Sequence, residues 1–438
     1  MDRHLLLCLA ACLTLRTAAE PTPAVPYRSV TEFGALGSDD RDDTAAIQAA
    51  LAAVSGPGKT GGVLFFPAGR YYLKESLVVT QSGVTLLGEG RGSPNDRSVM
   101  GSVLVLRSAP SATAVILRET RFSGLRNLGI VRVDGPVPDA RRREPAIRLE
   151  GTYHSFVKEV SLASVVSGIE ICDGIAPVVE DVSLKGPTGT FGVWLHGSGL
   201  NDGRHRKVDA AHFSRISGGA GDTDDLEWVI FGPNVDGAKI QDARFVAGSR
   251  GLVLRGGDES KGDTRPKYIY ADKFGCDHVN DEGVLIEAGN DVFINNTWVG
   301  QNKKASGIVI GPRFTGGALL TDTRVRGAGG HGVHIQGGKN IYLQNSLIGT
   351  NGTNRTLFPR GSTEAAGILI EKGVKNLRVT GGGVCPLYES GSSALQHYGV
   401  RYRGDDEQAR TDSVRISSVD TSGNPVPYEP SGLSLDAR

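Results

Sequence analysis

The runs Gly283-Val284-Leu285-Ile286, Gly307-Ile308-Val309-Ile310 and Gly332-Val333-His334-Ile335 repeat one phrase: glycine, aliphatic, any residue, aliphatic. Their first aliphatics, Val284, Ile308 and Val333, stand 24 and 25 residues apart. Working outward, the phrase, with alanine replacing glycine at Ala146, returns upstream at Ile147, Ile169, Val193 and Leu252, and downstream at Ile368 and Val400. The spacings are 22, 24, 59 and 32 before Val284, and 35 and 32 after Val333. The gap of 59 holds a degenerate copy at Glu227-Trp228-Val229-Ile230-Phe231. A second β phrase follows most copies, as in Val292-Phe293-Ile294 and Ile341-Tyr342-Leu343. A period in the low twenties with longer outliers predicts stacked rungs with inserted loops. Each unit alternates in and out over four residues and has no helical period. An antiparallel sandwich would not return the same phrase at a regular interval. The expected fold is therefore all-β, a single-stranded parallel β-helix.

One helix is expected, over Asp43 to Val54, where Ile47, Ala50, Leu51 and Val54 fall on one face. Asp42 or Asp43 supplies its N-terminal cap, and Gly56-Pro57-Gly58 stops it. The run VTEFGALGSDDRDDTAAIQAALAAV, with GGVLFFPAGRYYL and SGVTLLGEG after it, resembles the pectate-lyase-like superfamily. More narrowly it is similar to the glycoside-hydrolase-28-related, rhamnogalacturonase/epimerase-like group. The resemblance covers Tyr27 to Gly92 and, through the rung pattern, extends to about Gly423. It implies a right-handed β-helix capped by the helix near Ile47, and carbohydrate as the usual substrate class. Of the motifs of polygalacturonase-type relatives, Gly330-His331-Gly332 matches one, and Asp224-Asp225 resembles another but lies several rungs too early. No counterpart stands for the remaining two.

Composition narrows the function further. The 438 residues carry 48 basic and 48 acidic side chains, which removes the usual ground for proposing a nucleic acid or anionic membrane partner. Glycine, 61 residues or about 14%, is roughly twice average usage and implies many turns. The apolar run Leu5 to Leu15 is too short for a bilayer but suits a secretory signal, with cleavage expected after Ala19. Leu9-Ala10-Ala11-Cys12 also reads as a lipoprotein box. The expected organisation is a signal peptide over 1–19, a β-helix domain over 27–423 and a loosely packed tail over 424–438, in a secreted or periplasmic protein without a transmembrane segment. Cys172, Cys276 and Cys385 read as small core residues, with room for one bridge whose pair the sequence does not choose.

Stacked rungs place the residue before each glycine in a column, about 4.8 Å apart. That column reads Ser167, Phe191, Arg250, Glu282, Ser306, His331 and Tyr398. Outward strand positions add Trp194, His334 and Arg255. A long polar face of this kind suits a linear polysaccharide. The candidate catalytic residues are Asp225, Asp281, Glu282 and His331. Asp225 and Asp281 precede rungs two apart, roughly 10 Å, near the separation used by inverting glycosidases. Arg250, Arg255, Trp194, His334 and Tyr398 are the candidate substrate-binding residues. Trp194 and Trp298 are each able to stack on a sugar or to half-fill the core. Lyase chemistry would instead use Arg250, Arg255 or Lys303-Lys304 to neutralise a uronate and His331 or Tyr398 as base. No cofactor is required; calcium is the cation for which Asp222, Asp224 and Asp225 offer oxygen ligands. Two functions remain: an enzyme cleaving glycosidic bonds, hydrolase ahead of lyase, or a non-catalytic carbohydrate-binding or surface-structural β-helix.

Overall fold

A computed structural model describes residues 27–55, 61–93, 101–107, 113–133, 138, 141–201, 204–221, 223–386 and 396–431. The expected signal peptide at 1–19 and the helix stop at 56–58 lie outside the described residues. The chain winds as a parallel β-helix. A 13-stranded sheet contains one strand from each successive rung, from Leu77–Val79 to Val426–Glu429. A 23-stranded sheet takes up the rest of each rung.

The repeated phrase forms the 13-stranded sheet, in the register its spacing implies. Ile147 pairs with Ile169, Ile169 with Val193, Val193 with Val229 and Val229 with Leu252. The line continues through Val284, Ile308, Val333, Ile368 and Val400. All of these aliphatics are buried in one continuous core. The degenerate copy at Glu227–Phe231 is a full rung strand.

The glycine of the phrase has a steric cause. It enters the sheet beside the short strand that follows later in the same turn, and a Cβ on Gly283 would lie 2.3 Å from a Val299 methyl. At Gly332 the same atom would lie 2.3 Å from a methyl of Ile348. Between the two strand runs on the other faces, one left-handed residue turns the chain, such as Asp242, Lys273 or Asn296, with φ near +50°. Asparagine and aspartate accept that conformation at low cost.

The helix Thr44–Ser55 covers the N-terminal end and buries Ile47, Ala50, Leu51 and Val54. Asp42 is its cap, accepting from the Thr44 amide at 3.0 Å, while Asp43 accepts from the Tyr72 amide instead. Among the described residues no helix is long and apolar enough to cross a membrane.

The expected tail boundary at 424 is corrected. Val426–Glu429 pairs in parallel with Tyr398–Tyr402, and buried Asn424 donates to the Val384 carbonyl at 2.6 Å. Pro427 is compatible with this because the strand is the last of its sheet and needs no donor on its open side. Cys172, Cys276 and Cys385 are unbridged. Burial pushes the Cys172 thiol up to about 12, helped by Asp173 and Glu170, and pushes the wholly buried Cys276 higher still.

Candidate functional site

The outward face of the 13-stranded sheet holds a cavity of about 590 Å³ over the strands Phe191–His196, Glu227–Phe231 and Arg250–Leu254. Phe191, Trp194 and Ile230 form its apolar side. Trp194 stands edge-on to Phe191 at 5.5 Å and stacks on His196 at 4.1 Å, which fixes its ring.

The polar side centres on Glu227, only 7% exposed. Arg250 Nη1 donates to its Oε1 at 3.1 Å, and Arg255 reaches both oxygens at 2.7 and 2.9 Å. Arg250 also donates through Nε to Glu282 at 2.6 Å, and Arg255 to Glu287 at 3.3 Å. Burial opposes the charge on Arg250, but Glu282 and Glu227 outweigh it and hold its pKa above the ordinary value. Arg255 is raised in the same way by Glu227 and Glu287.

The rim is made of Arg142, Arg143, Asp224 and Asp225. Arg142 pairs with Asp225 at 2.5 Å, and its own carbonyl accepts from the Ser167 hydroxyl at 2.8 Å, which ties the loop to the sheet. Asp225 keeps 52% of its side chain exposed. Asp224 bonds Asn280 at 2.8 Å and Lys304. The two carboxylates therefore diverge, each to its own partner. Asp222 lies outside the described residues, among which no group of three or more His, Cys, Asp or Glu gathers as a metal site.

Of the residues expected from sequence, Asp225, Arg250, Arg255 and Trp194 line this cavity. Asp281 and Glu282 belong to the same cluster but sit behind Arg250. Asp281 accepts from the Ser249 hydroxyl at 2.7 Å and lies 3.9 Å from Arg250. The expected Asp225–Asp281 pair does not share this lining: Asp225 faces the cavity and pairs with Arg142, whereas Asp281 is held by Ser249 and Arg250. His331 is also displaced from this group. It lies three rungs on, its Nδ1 accepting from the Ala366 amide at 3.1 Å, its ring edge-on to Phe358 and His334. Burial, with His334, Arg403 and Arg401, lowers its pKa to about 3, so the ring is neutral. His334 bonds Glu371 at 2.8 Å, and Tyr398 receives the Arg401 guanidinium over its face at 4.5 Å. These three form a separate cluster towards the C-terminal end.

Sequence reasoning missed Glu227, Arg142 and Arg143. Glu227 heads the rung that has Trp228 in the glycine position, where the phrase is least recognisable. The arginines belong to the run Arg141-Arg142-Arg143, which reads as a solvated loop until Ser167 and Thr188 fix its place.

The sequence profile of the rhamnogalacturonase A/epimerase, pectate-lyase-like family matches residues 27–198. Over those residues, about two fifths of the chain, the sequence is similar to the pectate-lyase-like family. The A-module of mannuronan C-5 epimerase AlgE4 of Azotobacter vinelandii superposes with a TM-score of 0.59 at 20% identity, covering 92% of this chain and 97% of that one. The catalytic unit of a GH87 alpha-1,3-glucanase of Streptomyces thermodiastaticus superposes at 0.58 and 16% identity, over 94% and 70%. In sequence, AlgE4 is 29% identical over 142 residues, 30% of this β-helix and 22% of the epimerase. The β-helix thus matches less than a quarter of that relative's length. The structural likeness is one of fold.

Proposed function

We propose that this β-helix is an exported polysaccharide-processing enzyme that binds an acidic glycan in the 590 Å³ cavity and cleaves it by hydrolysis. The observation that carries the reading is the lining itself: an apolar wall at Trp194 facing guanidiniums and carboxylates across one opening. Trp194 offers a ring face for a pyranose. Arg143 is exposed and has no carboxylate partner among the described residues, leaving its guanidinium for a ligand carboxylate.

Hydrolysis needs one carboxyl to protonate the leaving oxygen and another to activate water. In this reading Asp225 and Glu227, both in the lining, take these roles, with Asp225 the more solvent-accessible of the two. Asp281 and Glu282 act through Arg250, holding it in place. The signal expected at 1–19 supports export.

A second reading keeps the same glycan but changes the chemistry to proton abstraction beside a uronate carboxylate, as elimination or epimerisation. The arginine-rich rim and the likeness to mannuronan epimerases favour it. Under that reading Asp225 is the solvent-accessible carboxylate available as base, since the described lining contains no lysine, histidine or tyrosine side chain.

Incubation with acidic and neutral polysaccharides separates these outcomes. Reducing ends alone support hydrolysis. Reducing ends with ultraviolet absorbance of unsaturated uronate indicate elimination. Altered proton resonances without new ends indicate epimerisation. No change with any glycan favours a binding or surface-structural β-helix, and turnover unaffected by Asp225→Asn overturns the site assignment.

A further inference from the structure

A larger cavity, about 840 Å³, lies along the 23-stranded sheet and shares no lining residue with the first. Its floor follows one line of the register. Arg244 pairs with Gly275, Gly275 with Trp298 and Trp298 with Arg324. Trp298 is 37% exposed, an expensive placement for so large an apolar side chain. Beside it, Gly275 leaves a notch: a Cβ there would meet no atom nearer than 3.8 Å. Arg244 and Arg324 have no carboxylate within ion-pairing reach among the described residues, unlike Arg250 and Arg255 in the first cavity. The rim differs: Arg215 is held by Asp181 and Glu180, and Lys273 lies 3.9 Å from Asp242.

We propose that this face is a second, non-catalytic glycan-binding site that takes a stretch of acidic polysaccharide. The indole stacks on one pyranose ring, the notch at Gly275 receives its neighbour, and Arg244 and Arg324 each bind a carboxylate. The two guanidiniums are three rungs apart, about 14 Å by rung spacing, so they engage sugars on either side of the stacked ring. Such a site would hold the enzyme on a polymer while the first cavity acts elsewhere along it.

The test is binding rather than turnover, so it is read separately from the proposed hydrolysis. Short oligogalacturonate and oligomannuronate are titrated calorimetrically against Trp194→Phe protein, with cello-oligosaccharide as the neutral control. Binding of either acidic probe, weakened about tenfold or more both by Trp298→Ala and by Arg244→Ala with Arg324→Ala, supports the site. The same variants leave the rate on a soluble substrate unchanged where the wild type has one. Trp298→Tyr, which keeps a ring face, retains most of the affinity and separates stacking from misfolding. Absence of binding by both acidic probes overturns the proposal. So does binding indifferent to these substitutions, or equal binding of the neutral probe. Self-association lost in Trp298→Ala, without glycan binding, would likewise overturn it and assign the face to a second copy of the chain.

Discussion

Glu227 and Arg250 occupy the same position on adjacent rungs and meet at 3.1 Å, with Arg255 closing on Glu227 from the far end of the Arg250 strand. The carboxylate is almost wholly buried and is shared by two guanidiniums. Such an arrangement is costly to break from one side, because the remaining charges stay desolvated.

Glu227→Gln therefore leaves Arg250 and Arg255 undercompensated. The expected loss of stability is about 3–5 kcal/mol, read from the midpoint of urea unfolding. A loss below about 1 kcal/mol would mean that Glu282 and Glu287 suffice to neutralise both arginines.

Asp225→Asn separates function from stability at the rim. Half of the side chain faces water, so its pair with Arg142 contributes at most about 1 kcal/mol to folding. If Asp225 serves as an acid or base, turnover falls about a hundredfold or more with the melting temperature nearly unchanged. Glu282→Gln, behind Arg250, shows the opposite pattern: a lower melting temperature first and a smaller effect on rate. Rate measurements and thermal scans on the same preparations check both.

His331 gives a pH dependence of stability. Its folded pKa is about 3 against an ordinary 6.5, so below pH 6.5 the unfolded chain binds the extra proton. Its contribution is complete above about pH 6.5 and is lost as pH falls towards 3. By pH 5 the loss is about 2 kcal/mol. His331→Asn, which keeps an acceptor for the Ala366 amide, flattens that part of the curve. Urea unfolding between pH 7 and pH 5 in both proteins is the measurement.

Trp228 replaces the rung glycine and is fully buried, its indole N–H donating to the Ala247 carbonyl at 2.6 Å and its ring stacking on Phe245. Gly218 makes room for it: a Cβ there would lie 2.4 Å from the indole ring. Gly218→Ala is expected to cost about 1–3 kcal/mol by overpacking, and Trp228→Ala about 3–5 kcal/mol through the cavity left behind. Near-ultraviolet circular dichroism and thermal melting register both.

The periodic part of this molecule was legible in the sequence because each rung repeats one local rule. Glycine marks the crowded corner, and two aliphatics point inward. The first aliphatics align as their spacing implies, and Trp194, Arg250 and Arg255 consequently fell on one face. Glu227 was obscure for the complementary reason. Its rung has Trp228 where glycine belongs, and the compensating space comes from Gly218, on another strand and ten residues earlier. His331 shows a further limit. A column fixes which face a side chain starts from, but Phe358, from an inserted loop, decides where the ring packs.

The backbone hydrogen bonds of the 13-stranded sheet run from rung to rung, along the solenoid axis. The floor of the first cavity is consequently inextensible in the direction a bound polymer would lie. Phe191, Glu227 and Arg250 sit in register on three successive strands like marks on a ruler, at about 4.8 Å per step. A chain whose repeat differs from that step must bend its own linkages to reach the next mark. Selection among polysaccharides can therefore begin with the ligand's stiffness and pitch, before any single sugar is recognised.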